Sequence, residues 1–191
     1  MVATRNTRED VIAAAGRLFA SQGYHGTSMR DLGRELGLRG SSLYSHVTSK
    51  EDLLVAVVER GAERFEASAH AALEAAESPT DRLRSLISGH IDIVLDHADE
   101  AKTFLDEAMS LDRDRRAKIV GARDRYEQVF RDVLAEGGRC GDFSEDVDPK
   151  LATIFILSIL NAIERWFDPD GALDCDGLKA EAIAFVERSL S

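Results

Sequence analysis

Proline is scarce in this chain, three in 191 residues, and valine and isoleucine are not gathered into alternating runs. No stretch reads as a strand, and the composition leans towards helix. Cysteine is scarcer still. Cys140 and Cys175 stand alone without CxxC spacing, so neither a zinc cluster nor a disulfide scaffold is indicated, and two reduced thiols suit a cytoplasmic protein. The opening "MVATRNTRED" lacks the apolar segment of a signal peptide. The longest apolar run, residues 154–160, is broken by Ser158 and is far too short to span a bilayer, so no membrane partner is expected. Nucleophile elbow, Walker motif, GxGxxG, HExxH and paired general acid/base are all missing. An enzyme therefore has no residues to carry its chemistry, and no cofactor is expected. Internal repeats and low-complexity linkers are absent as well.

What is present is the make-up of a globular protein, 44% apolar and 31% charged, in a chain long enough to bury a core without disulfides or metals. The net charge of −11 is unevenly placed. Residues 1–55 hold seven Lys/Arg against six Asp/Glu, which leaves about −12 for the remainder. A near-neutral head on an acidic body suggests that any polyanionic partner meets the head alone.

Helical periodicity runs nearly end to end. Val11, Ile12, Ala15, Leu18 and Phe19 predict a first helix over 7–22, stopped by Gly23. Thr27 or Ser28 caps a short second helix whose apolar side is Met29, Leu32 and Leu36, with Ser28 and Asp31 at capping-box spacing. Gly37 ends it, and residues 41–47 allow about two turns of a third helix. Ser49 then caps a long fourth helix. That helix is predicted near 50–75, and further helices near 79–97, 99–110, 112–136, 149–167 and 176–190, two of them opened by Ser78-Pro79 and Asp148-Pro149. The expected architecture is all-α, with residues 1–50 forming a head and 51–191 a body.

Two short helices joined by "GLRG" make a helix-turn-helix, and its residues suit DNA. A short helix entering the major groove needs small polar residues on an outward first turn, which Arg39, Gly40, Ser41 and Ser42 supply. Leu38, Leu43 and Val47 are the apolar side that docks it on the second helix. Tyr44 and His46 lie where a phenol and an imidazole can donate to phosphates. Lys50, in the first turn of the fourth helix, is expected to converge with free amides on a phosphate, and Thr27 and Ser28 offer an amide-plus-hydroxyl pair at the second.

The segment "TSMRDLGRELGLRGSSLYSHVTSKEDLL", behind "REDVIAAAGRLFASQGYHGTS", resembles the N-terminal domain of the TetR family of bacterial transcriptional regulators. Phe19, Gly23, Thr27, Leu43-Tyr44, His46 and Ser49-Lys50-Glu51 carry the resemblance; Val47 departs where the family usually has phenylalanine, and Ser41 where it often has glycine. The resemblance implies a homodimer whose body binds a small effector and whose two heads bind a palindromic operator, spaced roughly 34–36 Å apart. It leaves open a repressor, an activator or a drug-responsive efflux regulator, with a helical adaptor or enzyme that borrows the head as the rival from another class.

The body is less explicit. "RDRYEQVFRDVLAEGGRCGDFSEDVDP" and "NAIERWFDPDGAL" resemble the branch of that family that governs fatty-acid or sterol catabolism and responds to acyl-CoA thioesters. An arginine cluster (Arg113, Arg115, Arg116, Arg123, Arg125) is a candidate for the phosphates of such a ligand. Phe104, Glu107, Arg123, Tyr126, Phe130, Asn161, Arg165 and Trp166 are the candidate pocket residues, combining apolar wall with a few polar anchors, although aromatics at helical spacing also suit plain core. Asn161 sits within an apolar helix and needs a partner, be it a ligand, Arg165 or a backbone carbonyl. His90 and His97 lie two turns apart, about 10 Å, which is too far to share a metal; solvated or capping roles are expected of them. The predicted helix 149–167 is apolar on more than one face, so it reads as a dimer surface paired with helix 176–190 or as a central core helix.

Overall fold

The computed structural model describes residues 7–38 and 40–191; Arg39 and the side chains of residues 40, 41, 108 and 109 lie outside that description. Among the described residues all regular structure is helical. The helices are α1 (Arg8–Gln22), α2 (Met29–Glu35), α3 (Gly40–Leu43), α4 (Lys50–Ala75), α5 (Pro79–Asp96), α6 (Ala98–Asp106), α7 (Arg113–Cys140), α8 (Pro149–Ala162) and α9 (Cys175–Ser189). Two 3-10 turns, Glu107–Ser110 and Ile163–Arg165, follow α6 and α8. The chain forms two compact units, one of residues up to 63 together with 98–121, the other of 64–97 together with 122–191. The division falls inside α4 and α7, so both helices contribute to both units.

In the first unit α1 opens with a capping box, Thr7 and Asp10 exchanging side-chain and backbone bonds, and buries Val11, Ile12, Ala14, Ala15 and Phe19. Gly23, at φ +74°, turns the chain out of α1 in a conformation that L side chains rarely adopt. Ser28 rather than Thr27 caps α2, in a second capping box with Asp31. Packing is close where α6 crosses α4: a Cβ at Gly61 would lie 2.8 Å from the Phe104 Cβ and 2.9 Å from the Glu100 carbonyl oxygen. The third helix is one turn, not the two expected. Ser45 Oγ donates to the Ser42 carbonyl at 2.7 Å and the His46 N–H turns back to the Leu43 oxygen at 3.0 Å, so these local bonds end the helix at Leu43.

The second unit is built round Phe65, Leu86, Ile87, Ile91, Phe130, Leu157 and Leu160, all buried. Phe65, Tyr126 and Phe130 meet edge to face, with ring centroids 5.2 and 5.5 Å apart. Two predicted boundaries move. α7 runs on to Cys140 instead of turning at Glu136-Gly137. Gly137 is required by packing: a Cβ there would sit 2.2 Å from Phe143 Cδ2. The stop is Gly141 at φ +81°, with the amides of Asp142 and Phe143 returning to the Gly137 oxygen. α8 ends at Ala162 and tightens into the 3-10 turn, after which the amides of Trp166 and Phe167 both reach the Ile163 oxygen.

α8 shows two apolar faces. Thr153, Ile156, Leu157 and Leu160 are buried, whereas Leu151, Ile154, Ile159 and Phe155 are exposed, the last at 63%. Phe185 of α9 is 52% exposed beside them. Leu151, Phe155, Ile159 and Phe185 line an open groove of about 630 Å³.

Candidate functional site

The residues predicted to face DNA separate into two groups. Leu43 and Val47 are buried and anchor α3 and the turn after it. From that base Ser42 is exposed, Tyr44 is 56% exposed, and His46 is half-buried. Gly40 and Ser41 lend their backbone to α3, while Arg39 and the Ser41 side chain lie outside the described residues. Ser28 is exposed but engaged: its hydroxyl and amide bond to the Asp31 carboxylate, holding that carboxyl below the ordinary aspartate range.

Thr27 and Lys50 do other work. Thr27 is buried, and its hydroxyl shares its one proton between the carbonyls of Gly23 (3.0 Å) and Leu18 (3.2 Å), so it locks the α1–α2 loop instead of facing outward. Lys50 Nζ donates to the carbonyls of Tyr24 (2.7 Å) and Thr27 (2.8 Å) and lies 4.0 Å from the Tyr24 ring centroid. Two of its three donors are thus taken by the loop before α2, a placement that its position in the first turn of α4 did not reveal.

Glu107, expected in a ligand pocket, is also committed within the first unit. One carboxylate oxygen accepts the Tyr24 N–H at 2.9 Å and the other accepts the Ser110 hydroxyl at 2.8 Å. Phe104, from the same expectation, is buried against Gly61. The arginine cluster is largely paired. Arg115 reaches Glu51 and Asp52 at 3.2 Å each and Asp112 at 3.5 Å; Arg116 donates to the Leu111 carbonyl; Arg125 pairs with Glu66 at 2.6 Å. Those charges serve helix ends and helix pairs before any ligand phosphate.

In the second unit the structure supplies the partner of Asn161, and it is His90. The ring is 1% exposed, against the solvated or capping role expected. Its Nδ1 lies 3.0 Å from the Tyr126 hydroxyl and its Nε2 3.1 Å from Asn161 Oδ1. Tyr126 O–H donating to Nδ1, and Nε2–H donating to the amide oxygen, satisfy both ring nitrogens on a neutral imidazole. Burial pushes the His90 pKa down to about 4, opposed in part by the Asn161 bond, and pushes the Tyr126 phenol up. Phe130 packs on Tyr126. Arg123 is half-buried on α7, whereas Arg165 and Trp166 are exposed past the end of α8 and do not join this group. His90 lies at helical spacing from Ile87, Ile91 and Val94, a stripe that marks it as interior. His97 instead caps α5 and takes an Arg64 N–H on Nε2 at 3.0 Å.

Residues 11–57 match the family described as bacterial regulatory proteins of the tetR family, and residues 76–190 match the tetracyclin repressor-like C-terminal domain. The chain belongs to the TetR family. This TetR-family chain is accordingly a DNA-binding transcriptional regulator and not an enzyme. It is 26% identical over 180 residues to the transcriptional repressor KstR2 of Mycolicibacterium smegmatis, covering 94% of this chain and 88% of that one. A solved TetR family transcriptional regulator, PfmR of Thermus thermophilus, matches at 32% identity with a TM-score of 0.85, over 95% of this chain and 98% of its own. AibR, solved in complex with isovaleryl coenzyme A and operator DNA, matches at 26% identity and the same TM-score, over 93% and 96%. Among the described residues no helix is long and apolar enough to cross a membrane.

Proposed function

We propose that this TetR-family chain is a ligand-responsive repressor that binds a palindromic operator as a homodimer and is released by an acyl-CoA thioester. Residues 1–50 read DNA, and 51–191 bind the effector and the second copy. The observation that carries the reading is the surface of α3, where Ser42 and Tyr44 are exposed over a buried Leu43 and Val47. Ser42 faces base edges, and Tyr44 and His46 hold phosphates. The exposed Leu151, Ile154, Phe155, Ile159 and Phe185 support pairing through α8 and α9, because a face this apolar is normally covered. A thioester effector draws support from AibR, solved with isovaleryl coenzyme A. In the body, Arg123, Tyr126, Phe130 and Asn161 are the residues that the reading keeps for the ligand. Effector binding shifts the population away from the head geometry that fits the operator.

The test is fluorescence anisotropy of the purified protein on its own upstream DNA at several salt concentrations. It is then repeated with isovaleryl, long-chain and steroid-like acyl-CoAs. Sequence-dependent binding reversed by a thioester is the expected result. Binding that every thioester leaves intact removes the effector assignment, and binding that does not distinguish the fragment from scrambled DNA refutes the repressor.

A further inference from the structure

The helix-turn-helix is gripped at both ends by one short stretch of chain, residues 107–115, that is remote from it in sequence. At the entry, the peptide of Tyr24 is held on both sides: its N–H donates to Glu107 at 2.9 Å and its carbonyl accepts from Lys50 at 2.7 Å. That peptide belongs to the loop that leads directly into Ser28, the cap of α2. Gly23 next to it takes φ +74°, a conformation that L side chains rarely adopt, and so sets the direction in which the Tyr24 amide meets the carboxylate. At the exit, Arg115 joins Glu51 and Asp52 in the first turn of α4, immediately after the turn that ends α3. Asp52 in turn accepts from the Thr48 hydroxyl, and its amide donates to Ser49 Oγ at 3.0 Å. Between the two grips, Ser110 fixes Glu107, and Asp112 caps the start of α7 through the amides of Asp114 and Arg115.

We infer that Glu107 and Arg115 are positioning residues for operator binding, forming a bracket that sets the spacing and tilt of α2 and α3. The inference rests on the DNA-binding reading above and extends it to residues that present nothing to DNA. The carboxylate is the informative half. It is negatively charged, so on electrostatic grounds alone its removal should tighten binding to a phosphate backbone. The bracket demands the opposite sign. Without Glu107 the Tyr24 amide loses its acceptor, the loop ahead of α2 gains freedom, and the operator-fitting arrangement becomes one among several, which lowers apparent affinity in proportion to its population.

The experiment compares wild type, Glu107→Ala, Glu107→Gln and Arg115→Lys by anisotropy on the upstream duplex and on a scrambled duplex. Hydrogen exchange of the Tyr24 amide is followed without DNA. Glu107→Ala should weaken upstream-duplex binding about tenfold, the equivalent of one charge-assisted bond, and should lose protection at Tyr24. Glu107→Gln keeps an acceptor for the amide and should restore most of both, a rescue that a charge effect does not give. Arg115→Lys keeps the charge but not the fork that spans Glu51 and Asp52, and should also weaken binding. If Glu107→Ala binds as tightly as wild type or more tightly, the bracket is refuted while the repressor stands. If wild type itself shows no preference for the upstream duplex, the repressor reading falls and takes the positioning role with it. Should Glu107→Ala lose its far-UV helicity, Glu107→Asp carries the same test, with charge kept and reach shortened; wild-type affinity in that variant overturns the inference.

Discussion

Replacing His90 by phenylalanine tests the buried polar chain of the second unit through both its size and its pH dependence. Phenylalanine fills the space of the imidazole but leaves the buried Tyr126 hydroxyl without its acceptor, which costs about 1–3 kcal/mol. Asn161 is half-buried, so its amide oxygen can turn to water and adds little. Tyr126→Phe alone removes the donor to Nδ1 and costs about 1 kcal/mol. The double variant leaves neither group stranded, so its cost falls short of the sum by about 1–2 kcal/mol. The pH dependence follows from the His90 pKa, lowered from 6.5 to about 4 by burial. Between those values the unfolded imidazole holds a proton that the folded one does not. Wild-type stability therefore falls as the pH drops from 7 towards 4, and the His90→Phe chain lacks that component. The wild-type advantage therefore shrinks by about 2–3 kcal/mol from pH 7 to 4.5, enough to close or reverse it. Carboxylates shared by both chains cancel in the comparison. The assay is urea unfolding followed by far-UV circular dichroism at fixed protein concentration. A gap that stays constant over this range would refute the assignment of His90 as a buried neutral ring.

Four further outcomes are expected. Tyr44→Ala should weaken binding about five- to tenfold on upstream and scrambled duplexes alike, as loss of a phosphate contact does, measured by anisotropy. Ser42→Ala should instead change which base pairs are preferred, read out by binding-site selection. Phe155→Asp places a carboxylate in the apolar groove of α8 and α9 and should shift the sedimentation coefficient from dimer to monomer. Gly137→Ala forces the Phe143 ring off the helix and should cost about 1–3 kcal/mol, seen as a lower melting temperature.

What could be read beforehand is what short-range chemistry encodes. Ser28 and Asp31 declare the start of α2 from within three residues, and Ser78-Pro79 and Asp148-Pro149 declare two more helices. The all-α architecture and the TetR membership follow from such local signals, sustained over the chain. Gly137 and Gly141 look equivalent as letters, yet one sits under a phenylalanine ring and the other takes a positive φ; only the packing separates a close approach from a stop. Long-range partners were out of reach for the same reason. Lys50 finds carbonyls 23 and 26 residues back, Glu107 an amide 83 residues back, and His90 an amide side chain 71 residues ahead. Lys50 and Glu107, which looked available for a phosphate and a ligand, were already engaged by the fold, and His90, expected to be solvated or capping, is buried in it. His90 was legible in part, since its place on the Ile87–Ile91–Val94 stripe announces an interior position even though it does not name the partners.

The exposed aromatic face of α8 and α9 bears on how the protein must be made and handled. Phe155 and Phe185 are exposed on a single copy, so the pairing proposed above would make folding stability a function of how much protein is present. Dilution would then lower it, and a cell holding few copies would keep a larger share of them open to chaperones and proteases. Abundance would then act on the regulator itself: below the concentration at which copies pair, unpartnered chains would be removed instead of accumulating as idle monomers.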